Sequence, residues 1–427
     1  MGDKSPLEGW KKIPTRYLFR FKRGYAIGRA EMGSSGIPCV HYGDIHGEYG
    51  FEVDLDTARL GRVAEPVNHG VNDFVSKGQF LFAGSSEDYE GSGNFTLIQG
   101  AQRGIAGTDT IVLTPKSELP ERFIAYLFDS VFFREQIRPH MMGTKVFHPS
   151  QRVIKDTLCI LPPRHVADAI ALYLDSKTAE VDALIEKLSF QVELLEKYRR
   201  EVSWEALTGG LEKASHKVES EVDWIGLMPE SWTTIPGRHL FEVVKRIEPG
   251  FSDRVLSITQ KGIVPKDLSS HFGQLAESYD LYQRVDAGDY AMNSMDLLTG
   301  WVDRSAYDGV TSPDYRVFRL RRAIAAEPRY FTHVLQMGYT RRIFYRYGQG
   351  VSNLGRWRLQ PKAFLNMRFP LPPLNQQRRI ADYIEEKYTE IDSTIAGINR
   401  QIELLGEYRK QVINDAVTGK VRVGEVA

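Results

Sequence analysis

Apolar residues recur at three- and four-residue intervals from Ala167 and Ala171 through Leu174, Val181, Ile185, Leu188, Val192 and Leu195 to Val202 and Ala206. That period is the signature of a helix with one apolar stripe, and residues 164–207 contain no proline or glycine to interrupt it. The spacing predicts a single long helix behind Pro162-Pro163. A second stripe, Ile384, Ile391, Ile395, Ile398, Ile402 and Leu405, predicts another behind Pro372-Pro373. Stripes sustained over this many heptads form coiled-coil seams, so the two helices are expected to pack on each other. Arg199 and Arg409 each interrupt the seam near its end. A buried arginine without a partner is costly, so either an acid on the facing helix meets each one or the rod splays there; a register-setting pair is favoured over a contact with a partner protein. Elsewhere the pattern shortens to β-branched and aromatic runs, Phe80-Leu81-Phe82, Thr110-Ile111-Val112-Leu113, Tyr290-Ala291-Met292 and Arg316-Val317-Phe318-Arg319-Leu320, bounded by Gly, Asn, Asp and Ser. These read as short strands. A proline announces a further helix in each half, at Pro120 and at Pro328.

The two long stripes belong to a repeat. Leu161-Pro162-Pro163 leads to Tyr198-Arg199 and Thr208-Gly209, while Leu371-Pro372-Pro373 leads at the same offset to Tyr408-Arg409 and Thr418-Gly419. Asp182 matches Asp392, and Glu193-Leu194-Leu195 matches Glu403-Leu404-Leu405. Upstream, Trp10-x-x-Ile13-Pro14-x-Arg16-x-Leu18-Phe19 returns as Trp232-x-x-Ile235-Pro236-x-Arg238-x-Leu240-Phe241. Repetition on this scale means one structural unit used twice. The expected organisation is a globular domain at 1–160, a central helix at 161–214, a second globular domain at 215–370 and a C-terminal helix at 371–427. The fold class is α+β: two duplicated, mixed β-rich and helical domains separated by two long helices. Duplicated halves related by a pseudo-two-fold would make the helices an antiparallel coiled coil, put the domains at its opposite ends and close the molecule into a circular outline.

Bulk composition narrows the class. The chain has 427 residues, 42% hydrophobic and 26% charged, as ordinary soluble proteins do. No apolar run approaches the roughly 18 residues of a membrane span, and the first residues lack the apolar core of a secretory signal. A cytoplasmic protein without membrane contact is expected. Its two cysteines, Cys39 and Cys159, can form neither a disulfide framework nor a cysteine zinc site and are expected to be buried thiols.

The formal net charge is zero, but its distribution is uneven. Residues 316–358 contain ten arginines and a single acid, Glu327. Arginines alternate with rings at Arg341-Arg342-Ile-Phe344-Tyr345-Arg346-Tyr347 and again at Arg356-Trp357-Arg358. Guanidinium forks suit phosphates and guanine edges, so this run is read as a nucleic-acid surface. The candidate DNA-binding residues are Arg246, Arg341, Arg342, Arg346, Asn353, Arg356 and Arg358 in the second half. In the first half they are Lys22, Arg23, Arg103, Arg134, Lys145 and Arg152. Phe344 is expected in the core.

Catalytic patterns do not emerge. His41, Asp44, His46 and Glu48 have metal-ligand spacing, yet the second half carries Leu256, Thr259 and Lys261 at the matching places, so no metal is expected. There is no phosphate loop, no dinucleotide fingerprint and no convincing nucleophile with its base. The residues alone leave three readings open: a DNA binder, a non-catalytic scaffold that binds proteins through duplicated domains on a rod, and an enzyme in its own right, a nuclease or methyltransferase with a degenerate motif.

Two variable modules, each closed by Leu-Pro-Pro, a long helix with Gln-x-Glu-Leu-Leu-x-x-Tyr-Arg and a Thr-Gly, resemble the specificity subunit of Type I restriction-modification enzymes. The resemblance spans essentially the whole chain. It implies two target-recognition domains, each reading one half of a bipartite site in double-stranded DNA. It also implies that the helices set the spacer and dock modification subunits, two in number, with restriction subunits completing the complex. The chain itself would bind no cofactor and catalyse nothing. S-adenosylmethionine, ATP and Mg would belong to the partner subunits.

Overall fold

The computed structural model describes residues 9–27, 31–64, 74–86, 89, 91–141, 146–212, 216–252, 254–267, 278–350 and 357–421. It divides into two compact units, Met1–Leu188 with Asn399–Ala427, and Ser189–Ile398. The architecture is mixed α/β, dominated by a 46-residue helix and a 44-residue C-terminal helix.

In unit 1, strand β1 (Lys11–Pro14) leads through a one-turn helix, Thr15–Leu18, into β2 (Phe19–Arg23). Strands β3 (Phe51–Asp54), β4 (Phe80–Ala83), β5 (Phe95–Gln99) and β6 (Thr110–Pro115) complete a sheet ordered β2-β6-β4-β5-β3. Only the β5–β3 pair in it is parallel. Side chains alternate across a strand, and the sheet uses both faces. Phe80 and Phe82 join Phe95, Leu113 and helix α1 (Glu121–Asp129) in one core, while Leu81, Ile98 and Val112 join Val40, Ile45 and Val53 in another. The first core is aromatic at its centre, where Phe128 meets Phe133 at 4.6 Å and both Phe80 and Phe82 at 5.1 Å between centroids. After α2 (Gln151–Asp156), strand β7 (Leu158–Leu161) returns to pair with β1, placing Lys11 opposite Leu161. The Ile-Pro and Leu-Pro-Pro motifs are thus the two strands of one ribbon.

The same order recurs in unit 2. Strand β8 (Thr233–Pro236), the turn Gly237–Leu240 and β9 (Phe241–Val244) are followed by β10 (Tyr290–Met292), β11 (Val302–Arg304) and β12 (Arg316–Leu320), in an antiparallel sheet ordered β9-β12-β10-β11. Strand β13 (Arg368–Leu371) pairs with β8, with Thr233 opposite Leu371.

Each long helix starts on its second proline. The N–H groups of Val166 and Ala167 donate to Pro163 O at 3.0 Å, and those of Gln376 and Gln377 donate to Pro373 O at 2.8 and 3.0 Å. Proline pre-sets the backbone there and its carbonyl opens the helical ladder. Helix α3 is Arg164–Gly209 and helix α6 is Leu374–Val417. The threonines of the Thr-Gly ends, Thr208 and Thr418, donate their hydroxyls to Trp204 O and Asn414 O, and left-handed Gly210 and Gly419 terminate the helices. Within unit 1, Ile413, Ala416 and Val417 of α6 share the aromatic core with Ala167, Ile170 and Leu174 of α3. Within unit 2, Ala206 and Leu207 of α3 share a core with Ile380, Ala381 and Ile384 of α6.

The seam residues Leu174, Val181, Ile384 and Ile391 are buried, and Ile185, Leu188, Val192, Leu195, Ile395, Ile398, Ile402 and Leu405 are half-buried. Both seam arginines meet acids: Arg409 Nε donates to Asp182 at 3.0 Å in unit 1, and Arg199 lies 3.1 Å from Asp392 in unit 2. These are matching positions of the repeat. Cys39 and Cys159 are buried thiols, and burial pushes each up to about 12.

Candidate nucleic-acid interface

The candidate basic residues sort into three groups. Several are held by the protein's own acids. Arg134 donates to Asp129 at 3.0 Å and to Asn94 at 2.7 Å, and Arg246 forks onto Asp286 and Asp289 at 2.5 and 2.6 Å. Arg341 pairs with Glu201 at 2.5 Å over the Trp204 ring. Those three guanidiniums brace the fold. Lys22 donates to Tyr25 Oη at 2.7 Å and Arg103 covers the Phe74 ring. The exposed group comprises Arg23, Arg152, Arg342, Arg346 and Arg358, and Arg342 occupies the left-handed region at φ 56°. Lys145, Asn353 and Arg356 lie outside the described residues.

Compensation also reaches other members of the arginine run. Arg319 lies 3.5 Å from Asp289, and Arg329 pairs with Asp382 at 2.8 Å and Glu385 at 2.9 Å. The acids that neutralise them come from distant sequence, so the surface is less basic than the local count implies. Phe344 is buried at 1% exposure, within the core. The metal-like spacing is likewise spent on structure. His46 Nε2 donates to Ser85 O at 2.6 Å while its Nδ1 accepts from Asn94 at 2.8 Å, and His41 and Asp44 form a capping box.

Each unit carries a cleft at the same place in its frame, between the far end of β2 or β9 and the residues that enter α2 or α5 (Pro361–Asn366). The unit 1 cleft, about 470 Å³, is lined by Arg23, Gly24, Asp109, Ile111, His148 and Gln151. A Cβ on Gly24 would stand 2.3 Å from Gly107 O, so only glycine lets the chain leave β2 this closely. Ser85 Oγ donates to Asp109 at 3.3 Å, and His148 Nδ1 lies 3.3 Å from both Ser85 Oγ and Gly84 O. With the serine proton spent on Asp109, Nδ1–H donates and Nε2 is left as an acceptor.

The unit 2 cleft, about 310 Å³, is lined by Lys245, Gln283, Asp314, Arg316, Arg358 and Gln360 among others. Register fixes the correspondence. Ile111 faces β4 residue Phe82 as Arg316 faces β10 residue Met292, and His148 and Arg358 each stand two residues before the N-cap of the helix that follows. Arg316 is 6% exposed, and burial pulls its guanidinium down to about 10. Its Nη2 donates to Leu359 O at 2.7 Å, and its plane lies 5.2 Å from the Phe364 ring centroid. Nη1 has no partner among the described residues. Sequence reasoning named Arg23 and Arg358, included Arg316 in the basic run without singling it out, and missed His148, Asp109 and Lys245 as cleft residues. The strand pattern around Ile111 and Arg316 was visible, whereas the joining of strand ends to helix entries from distant sequence was not.

No family model matches the chain. It is 21% identical over 357 residues to the Type I restriction enzyme MjaVIII specificity subunit of Methanocaldococcus jannaschii, covering 78% of each protein. It is 23% identical over 305 residues to the EcoBI specificity subunit of Escherichia coli, covering 67% of this chain and 63% of that one. In fold it matches a chain from a solved structure of the type I R-M system, described for its complex assembly and conformational transition. That match has a TM-score of 0.69 at 15% identity and covers 98% of this chain and 100% of the other. Motifs, curated proteins and fold point the same way: the chain is similar to the specificity subunits of Type I restriction enzymes.

Proposed function

We propose that the chain is the sequence-specific DNA-binding subunit of a Type I restriction-modification complex and is itself non-catalytic. Residues 1–160 and 215–370 act as the two target-recognition domains, each reading one half of a bipartite duplex site. The helices entered at 161 and 371 form the antiparallel pair that sets the spacer. What carries this reading is the twin cleft, built at one place in both frames but lined by different side chains, as reading two different half-sites from one scaffold requires. The matching ion pairs Arg409–Asp182 and Arg199–Asp392, one within each unit, support the use of one frame twice.

Exposed apolar residues at repeated helix positions, Leu194 and Tyr198 with Leu404 and Tyr408, support docking of two modification subunits. S-adenosylmethionine, ATP and Mg act in those and in the restriction subunits. No helix among the described residues is long and apolar enough to cross a membrane, and a cytoplasmic location fits the proposed substrate. The test is selection of a random duplex library by the chain co-expressed with its modification subunit. A bipartite motif with a constant gap is expected. A well-behaved complex that selects no motif would favour the protein-binding scaffold instead.

A further inference from the structure

We propose that Arg316 and Arg358 together read a guanine edge in the cleft of unit 2, an assignment that rests on the DNA-reading function above. Arg316 stands on the core-facing side of β12, where unit 1 has Ile111. Isoleucine fills that place by packing alone, at 6% exposure. An arginine there must give up its hydration, which a fold tolerates when an acceptor takes the charge. None of the protein's carboxylates does so among the described residues, and Nη1 of this cleft-lining residue is left without a hydrogen bond there. An acceptor from outside the chain would meet that need.

The position of Arg358 completes the site. Arg358 exchanges backbone hydrogen bonds with Gln349 at 2.9 and 3.0 Å, and the next carbonyl, Leu359 O, is the one Arg316 holds. The buried guanidinium thus orders the segment that presents the exposed one. Guanine offers two acceptors, O6 and N7, on its major-groove edge, and a guanidinium fork matches them bidentately. A backbone phosphate also offers acceptors, but Arg316 is recessed at 6% exposure, which suits a base edge entering the cleft better than a phosphate at its rim. The unit 1 cleft has the opposite character, with the Asp109 carboxylate and His148 Nε2 as acceptors, so the two units select different base edges.

The experiment is the duplex selection performed on the complex containing wild type, Arg316→Met or Arg358→Gln. Wild type is expected to prefer guanine at one position of one half-site by roughly 5- to 150-fold, and each variant to fall below about threefold there with the other half-site unchanged. Arg316→Met removes no ion pair, so its thermal midpoint should stay near that of wild type. Should it nevertheless unfold, Arg358→Gln alters only an exposed side chain and decides the matter alone. An unchanged guanine preference in the variants overturns the proposal. So does weakening spread evenly over all sequences, the mark of a phosphate contact. If wild type selects no motif at all, the DNA-reading assignment itself fails and this inference falls with it.

Discussion

His333 lies in helix α4 (Pro328–Thr340) with its side chain 11% exposed and neither ring nitrogen hydrogen-bonded among the described residues. Burial, reinforced by Arg329 and Arg199, pulls its pKa down to about 4, and the nearest carboxylate, Glu385, stays 3.9 Å away. The folded state therefore refuses a proton that the unfolded chain accepts below its ordinary value near 6.5. The stability linked to His333 is complete above that value and is lost as pH falls toward 4, by roughly 3 kcal/mol at most. Denaturant midpoints at pH 7.5 and 5 should show a steeper loss for wild type than for His333→Leu, and equal slopes would remove His333 as the cause. The arginines teach a related lesson about legibility. Ten of them in a run with one acid looked uncompensated, yet Asp289, Glu201, Asp382 and Glu385 reach in from other elements. Charge pairing across sequence distance is invisible to a local count, while the burial of Phe344 was readable from its apolar neighbours.

Helices α3 and α6 were the most legible elements because their information is local: period, proline entry and Thr-Gly exit all lie within the segment itself. The predicted Arg199 and Arg409 partners also materialised, as Asp392 and Asp182. Asp182 is more than half exposed, so a double-mutant cycle on Asp182→Ala and Arg409→Ala should give a coupling of only about 0.5–1 kcal/mol. A coupling indistinguishable from zero would deny the pair any role in register. At the same scale, inserting one heptad into α3 with a matching heptad in α6 should lengthen the preferred gap between half-sites and leave both half-sites intact. Selected motifs with an unchanged gap would show that the helices do not set it. The strands were harder to read. They are short, and their partners are distant: β3 lies parallel to β5, and β1 pairs with β7 across most of the unit. The repeated Ile-Pro and Leu-Pro-Pro motifs were legible as a repeat, but not as the paired strands of a ribbon.

At the scale of the whole molecule, one frame used twice carries two clefts of different chemistry. The frame is nevertheless interlaced along the sequence. Unit 1 is built from residues up to Leu188 and again from Asn399 onward, and Ile413, Ala416 and Val417 pack into the aromatic core around Phe128. A chain truncated after Arg400 should leave that core open, bind a hydrophobic dye and lose cooperative unfolding of unit 1, while retaining the elements of unit 2. Dye binding and unfolding identical to the full chain would show that the terminal turns are dispensable. The same arrangement has a consequence during synthesis. The segment that begins unit 1 leaves the ribosome first and yet must wait for the last turns of α6 before its core is sealed. Completion of the first domain thus reports that translation has reached the end of α6, and a prematurely terminated product is left with an open core.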